Sequence, residues 1–176
     1  MSSSSATPGD ARAARIVDRL RAGGAGVAAS LPDSWLSPLI DTVARTPEIT
    51  HVRVTREDEG VAICAGASLM GRRAVLLCQN AGVLLAANVL AGYAHHHEIP
   101  LVVVAADRGG PQDGFFYQAY KGQVTPGVLT ALGLPWHRVE SERDDWLFER
   151  AFEQASLHRR PVVLLCSRAG LTGEAS

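Results

Sequence analysis

No stretch of this 176-residue sequence approaches the roughly 20 consecutive apolar residues that a membrane-spanning helix needs. The start, Met1 to Gly9, is rich in Ser but has neither the basic n-region nor the apolar h-region of a secretory leader. The expectation is a cytoplasmic protein without a membrane partner. Strong charge of one sign is also missing. The 17 basic and 18 acidic residues give a net charge of −1 and are spread along the chain, so no field gathers nucleic acid or anionic lipid. Cysteine is scarce: Cys64, Cys78 and Cys166 are odd in number, far apart, and each set in an apolar run. That placement suits small buried thiols and lacks both disulfide pairing and the close ligand spacing of a zinc site. His95-His96-His97 does not replace them as metal ligands, because consecutive helical residues point in different directions.

What is present is a chain 47% hydrophobic and 20% charged, enough for one domain with a sizeable core. That domain is expected over 10–168, between a disordered N-terminal tail (1–9) and a C-terminal tail (169–176). Helical and strand patterns alternate nearly end to end, the signature of an α/β fold. The expected architecture is a three-layer α/β/α sandwich around a mainly parallel six-stranded sheet. Strands are predicted near 27–30, 51–55, 74–78, 101–105, 137–140 and 162–166. Helices are predicted over about 8–21, 34–45, 57–70, 82–97, 126–132 and 145–158. The helix at 57–70 has a body of small apolar residues on every side (Val61 to Ala67) and is expected to be buried all round. The segment 107–123, with Gly, Pro, aromatics and no helical period, reads as a long binding loop.

Parallel sheets gather ligands at the carboxyl ends of their strands, so residues just past each strand are the candidates. After the first strand, Asp33 or Ser34 can cap a helix or face a ligand. After the second, Glu57, Asp58 and Glu59 open a helix whose dipole favours acidic residues there. Successive residues are rotated by about 100°, so if the helix is buried all round at least one of the three carboxylates must point inward. A carboxyl group in apolar surroundings favours its neutral form and can exchange protons near neutral pH. After the third strand come Asn80 and Gly82, as apt for a cap as for a ligand. After the fourth, Arg108 and Lys121 bracket an aromatic segment and could hold an acidic substrate, or could simply be solvated.

These segments in this order, Pro32-Asp33-Ser34-Trp35-Leu36, Arg56-Glu57-Asp58-Glu59-Gly60 through Gly66, Gln79-Asn80-Ala81-Gly82 and Arg108-Gly109, resemble the alpha subunits of sulfopyruvate decarboxylase and the N-terminal half of phosphonopyruvate decarboxylase. Both belong to the thiamine diphosphate (ThDP) decarboxylase superfamily, and the resemblance runs from about Ile16 to Cys166. It implies a pyrimidine-type ThDP-binding domain and picks Glu57, nine residues before Gly66, as the carboxyl that hydrogen-bonds N1′ of the cofactor and promotes its 4′-imino form. It also implies Asn80 and Gly82 at the aminopyrimidine, and Asp33, Ser34, Arg108 and Gln118 near the substrate, a small 2-oxo acid. The Gly-Asp-Gly motif with a downstream asparagine, which holds Mg²⁺ and the diphosphate in such enzymes, does not occur here. The resemblance therefore implies a split enzyme: a beta subunit carries the metal site, ThDP is shared across the interface, and the assembly is a heterotetramer or larger.

Two stretches depart from the family. Gln79-Asn80-Ala81-Gly82-Val83-Leu84-Leu85 replaces Gln-Asn-Ser-Gly-Leu-Gly-Asn, and Phe116-Tyr117-Gln118 stands where Pro-Gln-His is usual. Loss of a histidine near the substrate makes a larger or less charged 2-oxo acid, or an acyloin-forming carboligation, an open alternative. A noncatalytic partner module of the same fold is another. A dinucleotide-binding domain is disfavoured, because Gly23-Gly24-Ala25-Gly26 precedes the first strand, whereas the phosphate-binding fingerprint must follow it.

Overall fold

The computed structural model describes residues 8–111 and 113–174. Six strands, β1 (Ala25–Ser30), β2 (Thr50–Arg53), β3 (Arg73–Gln79), β4 (Val102–Ala106), β5 (Trp136–Val139) and β6 (Val162–Cys166), form one parallel sheet in the order β2-β1-β3-β4-β6-β5. Strand side chains alternate between two cores, as a period of two demands. On one face Ala28, Val75, Leu77, Val102, Val104 and Leu164 pack against helices α1 (Pro8–Ala22), α2 (Ser37–Ala44), α7 (Trp146–His158) and α8 (Arg168–Thr172). On the other, Ala29, Ala74, Leu76, Cys78, Val103 and Leu165 pack against α3 (Glu57–Leu69), the helical stretch 80–95 and α6 (Phe116–Ala131). The three layers match the fold expected from the alternating pattern. All three cysteines are free and buried in these cores. Burial pushes each thiol up, Cys64 to about 12, so they stay protonated and inert.

The chain runs from β1 outward to β2, but from β3 it runs the other way, to β4. The two connections diverge at the carboxyl ends of β1 and β3, which opens a crevice there.

Several elements differ from the sequence expectation, each for a tertiary reason. Pro8 and Gly9 belong to α1, in line with the helix expected over about 8–21 and not with the expected tail 1–9, while 1–7 lie outside the described residues. Part of the expected C-terminal tail folds as α8, capped by Ser167 and docked through Leu171. Helix α2 starts at Ser37 rather than Ser34, because the Asp33 carboxylate accepts a hydrogen bond from the Trp35 N–H at 2.9 Å and spends the preceding residues on a turn. The stretch 80–95 is not one regular helix: α4 (Asn80–Leu85) and α5 (Ala87–Val89) lead into a π-turn, Leu90–His95.

The expected loop 107–123 is loop only as far as Phe115. Helix α6 begins at Phe116 and continues through Pro126, burying Gln118, Thr125 and Leu129 at helical spacing. Proline marked a start in the sequence and is interior in the structure. Helix α3 is also less enclosed than expected: Ala62, Gly66 and Leu69 form an exposed stripe that Met70 extends.

Three outer elements are tied by one buried cation. Arg12 of α1 donates from Nε and Nη2 to the Gly170 carbonyl of α8, at 2.9 and 2.7 Å, and pairs through Nη1 with Asp145 at the head of α7. Arg12→Ala is expected to lower unfolding free energy by about 3 kcal/mol, because it strands a partly buried carboxylate and a carbonyl together. Urea unfolding measures it, and a change under about 1 kcal/mol would contradict the assignment.

Candidate functional site at the carboxyl edge of the sheet

The three carboxylates at the start of α3 take three different roles. Asp58 pairs with Arg56 at 3.0 Å and accepts from the Glu59 N–H. Glu59 turns back to accept from the Thr55 N–H and hydroxyl, at 3.0 and 3.2 Å. Glu57 points inward and is only 7% exposed. Among the described residues its carboxyl accepts no hydrogen bond and forms no ion pair.

Two glycines place it. Gly60, one turn into α3, lies so close to the sheet that a Cβ there would sit 2.6 Å from Leu76 Cδ1, so α3 rests directly on β1 and β3. That carries Glu57 across to α4. There a Cβ on Gly82 would come within 2.6 Å of Glu57 Cδ, so the absent side chain is the space the carboxyl occupies. The buried thiol of Cys78, at the end of β3, feels this proximity: burial raises it first, and the Glu57 charge adds to that.

Asn80, expected at a ligand, is fully buried. Its Nδ2 donates to the Arg108 carbonyl at 2.8 Å and more weakly to Asp107 at 3.4 Å, which fastens the loop after β4 to the end of β3. Among the described residues its Oδ1 has no donor, a cost of about 1–3 kcal/mol for a buried acceptor.

Asp33, Ser34 and Arg108, expected side by side, do meet. Arg108 donates to Asp33 at 2.9 Å, to Ser34 at 3.2 Å and in a fork to Asp113 at 2.7 and 3.2 Å, with its guanidinium 4.3 Å from the centre of the Trp35 ring. Four of its five N–H donors are thus engaged within the chain. Asp113, which sequence reasoning passed over, is the stronger partner. It also caps the loop by accepting from the Gly109 N–H, and Arg108 holds its carboxyl below the usual carboxylate range. Gly109, at φ +92°, and Gly122 let this loop lie on α6: a Cβ on Gly122 would be 2.6 Å from the Arg108 carbonyl.

Gln118 is buried and linked on both sides. Its Nε2 donates to Gln79 at the end of β3, and its Oε1 accepts from Lys121, both at 3.3 Å. An open groove of about 530 Å³ runs beside the cluster, lined by Ser34, Trp35, Arg108 and Phe115. A smaller cavity of about 210 Å³, by Arg72, Arg73 and Pro100, lies at the opposite, amino edge, away from these groups. Among the described residues no group of His, Cys, Asp and Glu is arranged to hold a metal ion.

Residues 12–131 match the family of thiamine pyrophosphate enzymes, N-terminal TPP binding domain. The chain is 33% identical to sulfopyruvate decarboxylase subunit alpha of Methanothermobacter thermautotrophicus, over 67% of its own length and 72% of the relative's. It is 27% identical to the same subunit of Methanococcus maripaludis, over 77% and 82%. It is also 32% identical to phosphonopyruvate decarboxylase of Streptomyces viridochromogenes, covering 85% of this chain but only 38% of that longer protein. Among solved structures, Rhodococcus jostii ThDP-dependent 4-hydroxybenzoylformate decarboxylase superposes with a TM-score of 0.69 at 18% identity, over 97% of this chain and 32% of that one. The Magnetococcus marinus 2-oxoglutarate:ferredoxin oxidoreductase superposes at 0.70 and 20% identity, over 95% and 30%. At such identities they show a shared fold.

Arg108→Met is expected to cost about 3–5 kcal/mol, because it leaves Asp33 and Asp113 buried and unpaired. The Asp113 contribution is complete above the ordinary carboxylate pKa and is lost as pH falls through the depressed folded value. The variant should therefore lose the part of the acid-unfolding slope below about pH 4. Urea titrations at several pH values test both; an unchanged slope would show that the pair does not form.

Proposed function

The chain belongs to the thiamine pyrophosphate enzymes, as an N-terminal TPP binding domain, and from that premise we propose that it is the alpha subunit of a split ThDP-dependent 2-oxo acid decarboxylase. The observation that carries the reading is the Glu57 carboxyl, buried, without a partner among the described residues, and seated in the space left by the missing Cβ of Gly82. A buried carboxyl is costly unless it shares a proton or a hydrogen bond, and the protonated N1′ edge of an aminopyrimidine supplies what this one lacks. The donor chemistry fits the group, and so does the cradle.

In this reading Glu57 holds the proton at N1′, and Gly82, with Asn80 behind it, keeps the wall of the pocket flat. When bound, ThDP supplies the electron sink for loss of carbon dioxide. Arg108, already neutralised by Asp33 and Asp113, positions the loops after β1 and β4 and offers its last N–H at the substrate edge together with Ser34, while Gln118 holds the far side. Magnesium and the diphosphate are assigned to a beta subunit, a reading supported by the relatives that are named as alpha subunits and are matched over most of their length. That subunit would cover the apolar groups left exposed on the layer of α3 and α6, among them Leu69 and Met70 with Phe116 and Tyr120. Assembly as a heterotetramer or larger in the cytoplasm accompanies this proposal.

Glu57→Gln, assayed with the beta subunit, ThDP and Mg²⁺, should slow C2 proton exchange and turnover by at least about 10²-fold. Exchange near the wild-type rate would reject the role. Gly82→Ala should displace the carboxyl and slow exchange by about tenfold or more while Cys64 and Cys78 remain unreactive toward a thiol reagent. Thiol exposure in that variant would instead indicate a disrupted core. Turnover without any second chain would refute the split arrangement.

A further inference from the structure

The glycines at 23, 24 and 26 come too early in the chain for a dinucleotide fingerprint, yet the structure gives them work at the amino edge of the sheet. They seat two arginines. A Cβ on Gly24, which holds φ +81°, would lie 3.3 Å from Arg73 Cδ, and one on Gly26 would lie 3.4 Å from Arg72 Nε. The β1–β3 ladder skips Gly26, passing from the pair Ala25–Arg73 to the pair Val27–Ala74, and the Gly26 carbonyl accepts from Arg72 Nη2 at 2.6 Å. Arg73 Nη1 donates to the Gly23 carbonyl at 2.8 Å. Both guanidiniums are anchored by main chain and remain open to solvent. They line the cavity of about 210 Å³ together with apolar Ala74, Leu101 and Phe152 and the hydroxyl-bearing Ser68 and Ser156.

Two cations on one cavity need a reason. No acidic residue lines it, and among the described residues neither guanidinium has a carboxylate partner. Carboxylates from nearby segments are engaged elsewhere: Glu98, two residues before Pro100, pairs with Arg159 at 3.0 Å, and Glu48 pairs with Arg21. Nor do the arginines serve to cap α3. The carbonyls of Gly66, Ala67 and Ser68 at its end already accept from the backbone N–H groups of Met70, Arg72 and Gly71. A guanidinium carries five N–H donors; Arg72 donates twice, to Gly26 and to the Thr50 hydroxyl, and Arg73 once, so most of each fork is still available.

We propose that this cavity is a second ligand site, for a compact phosphate monoester. Its phosphoryl group, close to doubly charged at neutral pH, would lie against Arg72 and Arg73, whose planar forks match phosphoryl oxygens and whose mutual repulsion a dianion relieves. The ester's apolar body would rest on Leu101 and Phe152. At about 210 Å³ the space falls below the roughly 300–1,000 Å³ of pockets for drug-sized ligands, so that body is no larger than one ring or a short chain. None of these residues belongs to the group around Glu57 and Arg108, so the site stands independently of the ThDP assignment.

Titration of the full-length chain with phenyl phosphate and with inorganic phosphate, followed by calorimetry, tests it. Phenyl phosphate should bind at least about tenfold more tightly than inorganic phosphate, because only the ester buries apolar surface. The double variant Arg72→Gln/Arg73→Gln should weaken phenyl phosphate at least about tenfold, the effect of losing a charge-assisted hydrogen bond, whereas Arg159→Gln, outside the lining, should leave it within about twofold. A second measurement needs no variant and so survives one that fails to fold. In the wild-type chain phenyl phosphate should move the backbone amide signals of 68–74 and 155–156 and leave those of 57–60 and 107–109 in place. Absence of saturable binding, equal affinity for the two ligands, an unchanged affinity in the double variant, or signals that move only at the carboxyl edge would each overturn the inference.

Discussion

The carboxyl edge of the sheet is organised by a guanidinium neutralised from within. Arg108 sits between Asp33, which follows β1, and Asp113, in the loop after β4, and its own carbonyl is held by Asn80 at the end of β3. Three connections that leave the sheet in different directions are thereby fixed to one another. A buried ion pair of this sort adds little stability relative to an apolar core, but it dictates geometry, since either partner alone would be costly to bury. Glycines at 109 and 122 let the loop and α6 approach at backbone distance, so the ion cluster and the helix act as one rigid wall.

Against that wall stands a group in the opposite condition. Glu57 is buried as Arg108 is, yet among the described residues it has no partner. Saturated groups hold a structure in place and unsatisfied ones await a ligand, and the contrast divides this edge into a frame and a reactive position. The orphan Oδ1 of Asn80 falls on the second side of that division. Exposed apolar residues on the α3 and α6 layer, from Leu69 to Phe116, extend the incompleteness from single atoms to a surface.

The alternating pattern was legible in the sequence because strands of a parallel sheet, buried on both faces, read as continuous apolar runs, and Val75 to Cys78, Val102 to Ala105 and Val162 to Cys166 are such runs. Helix limits were less legible where tertiary contacts overrode local signals. Pro126 marks a helix start by local chemistry, yet burial of Gln118, Thr125 and Leu129 accompanies an α6 that begins ten residues earlier, at Phe116. Asp33 and Ser34 resemble caps, and Asp33 instead serves a turn and an ion pair.

At the site the division is similar. The residue types and their order along the chain were enough to bring Glu57, Gly82, Asp33 and Arg108 to notice, because ligands of parallel sheets gather just past the strands and those positions can be counted off. The family resemblance, counted back from Gly66, singled out Glu57, whereas local chemistry left the three carboxylates equivalent and gave no sign of which charges are satisfied within the fold. Glu57 is distinguished from Asp58 and Glu59 by α3 resting on the sheet at Gly60, and Arg108 is spent because Asp113, five residues away along a loop, folds back onto it. Sequence by itself determined the fold and the chemical repertoire, since these follow from periodicity and residue type. Only the tertiary structure decided which charges are satisfied, since that depends on distances between segments far apart in the chain.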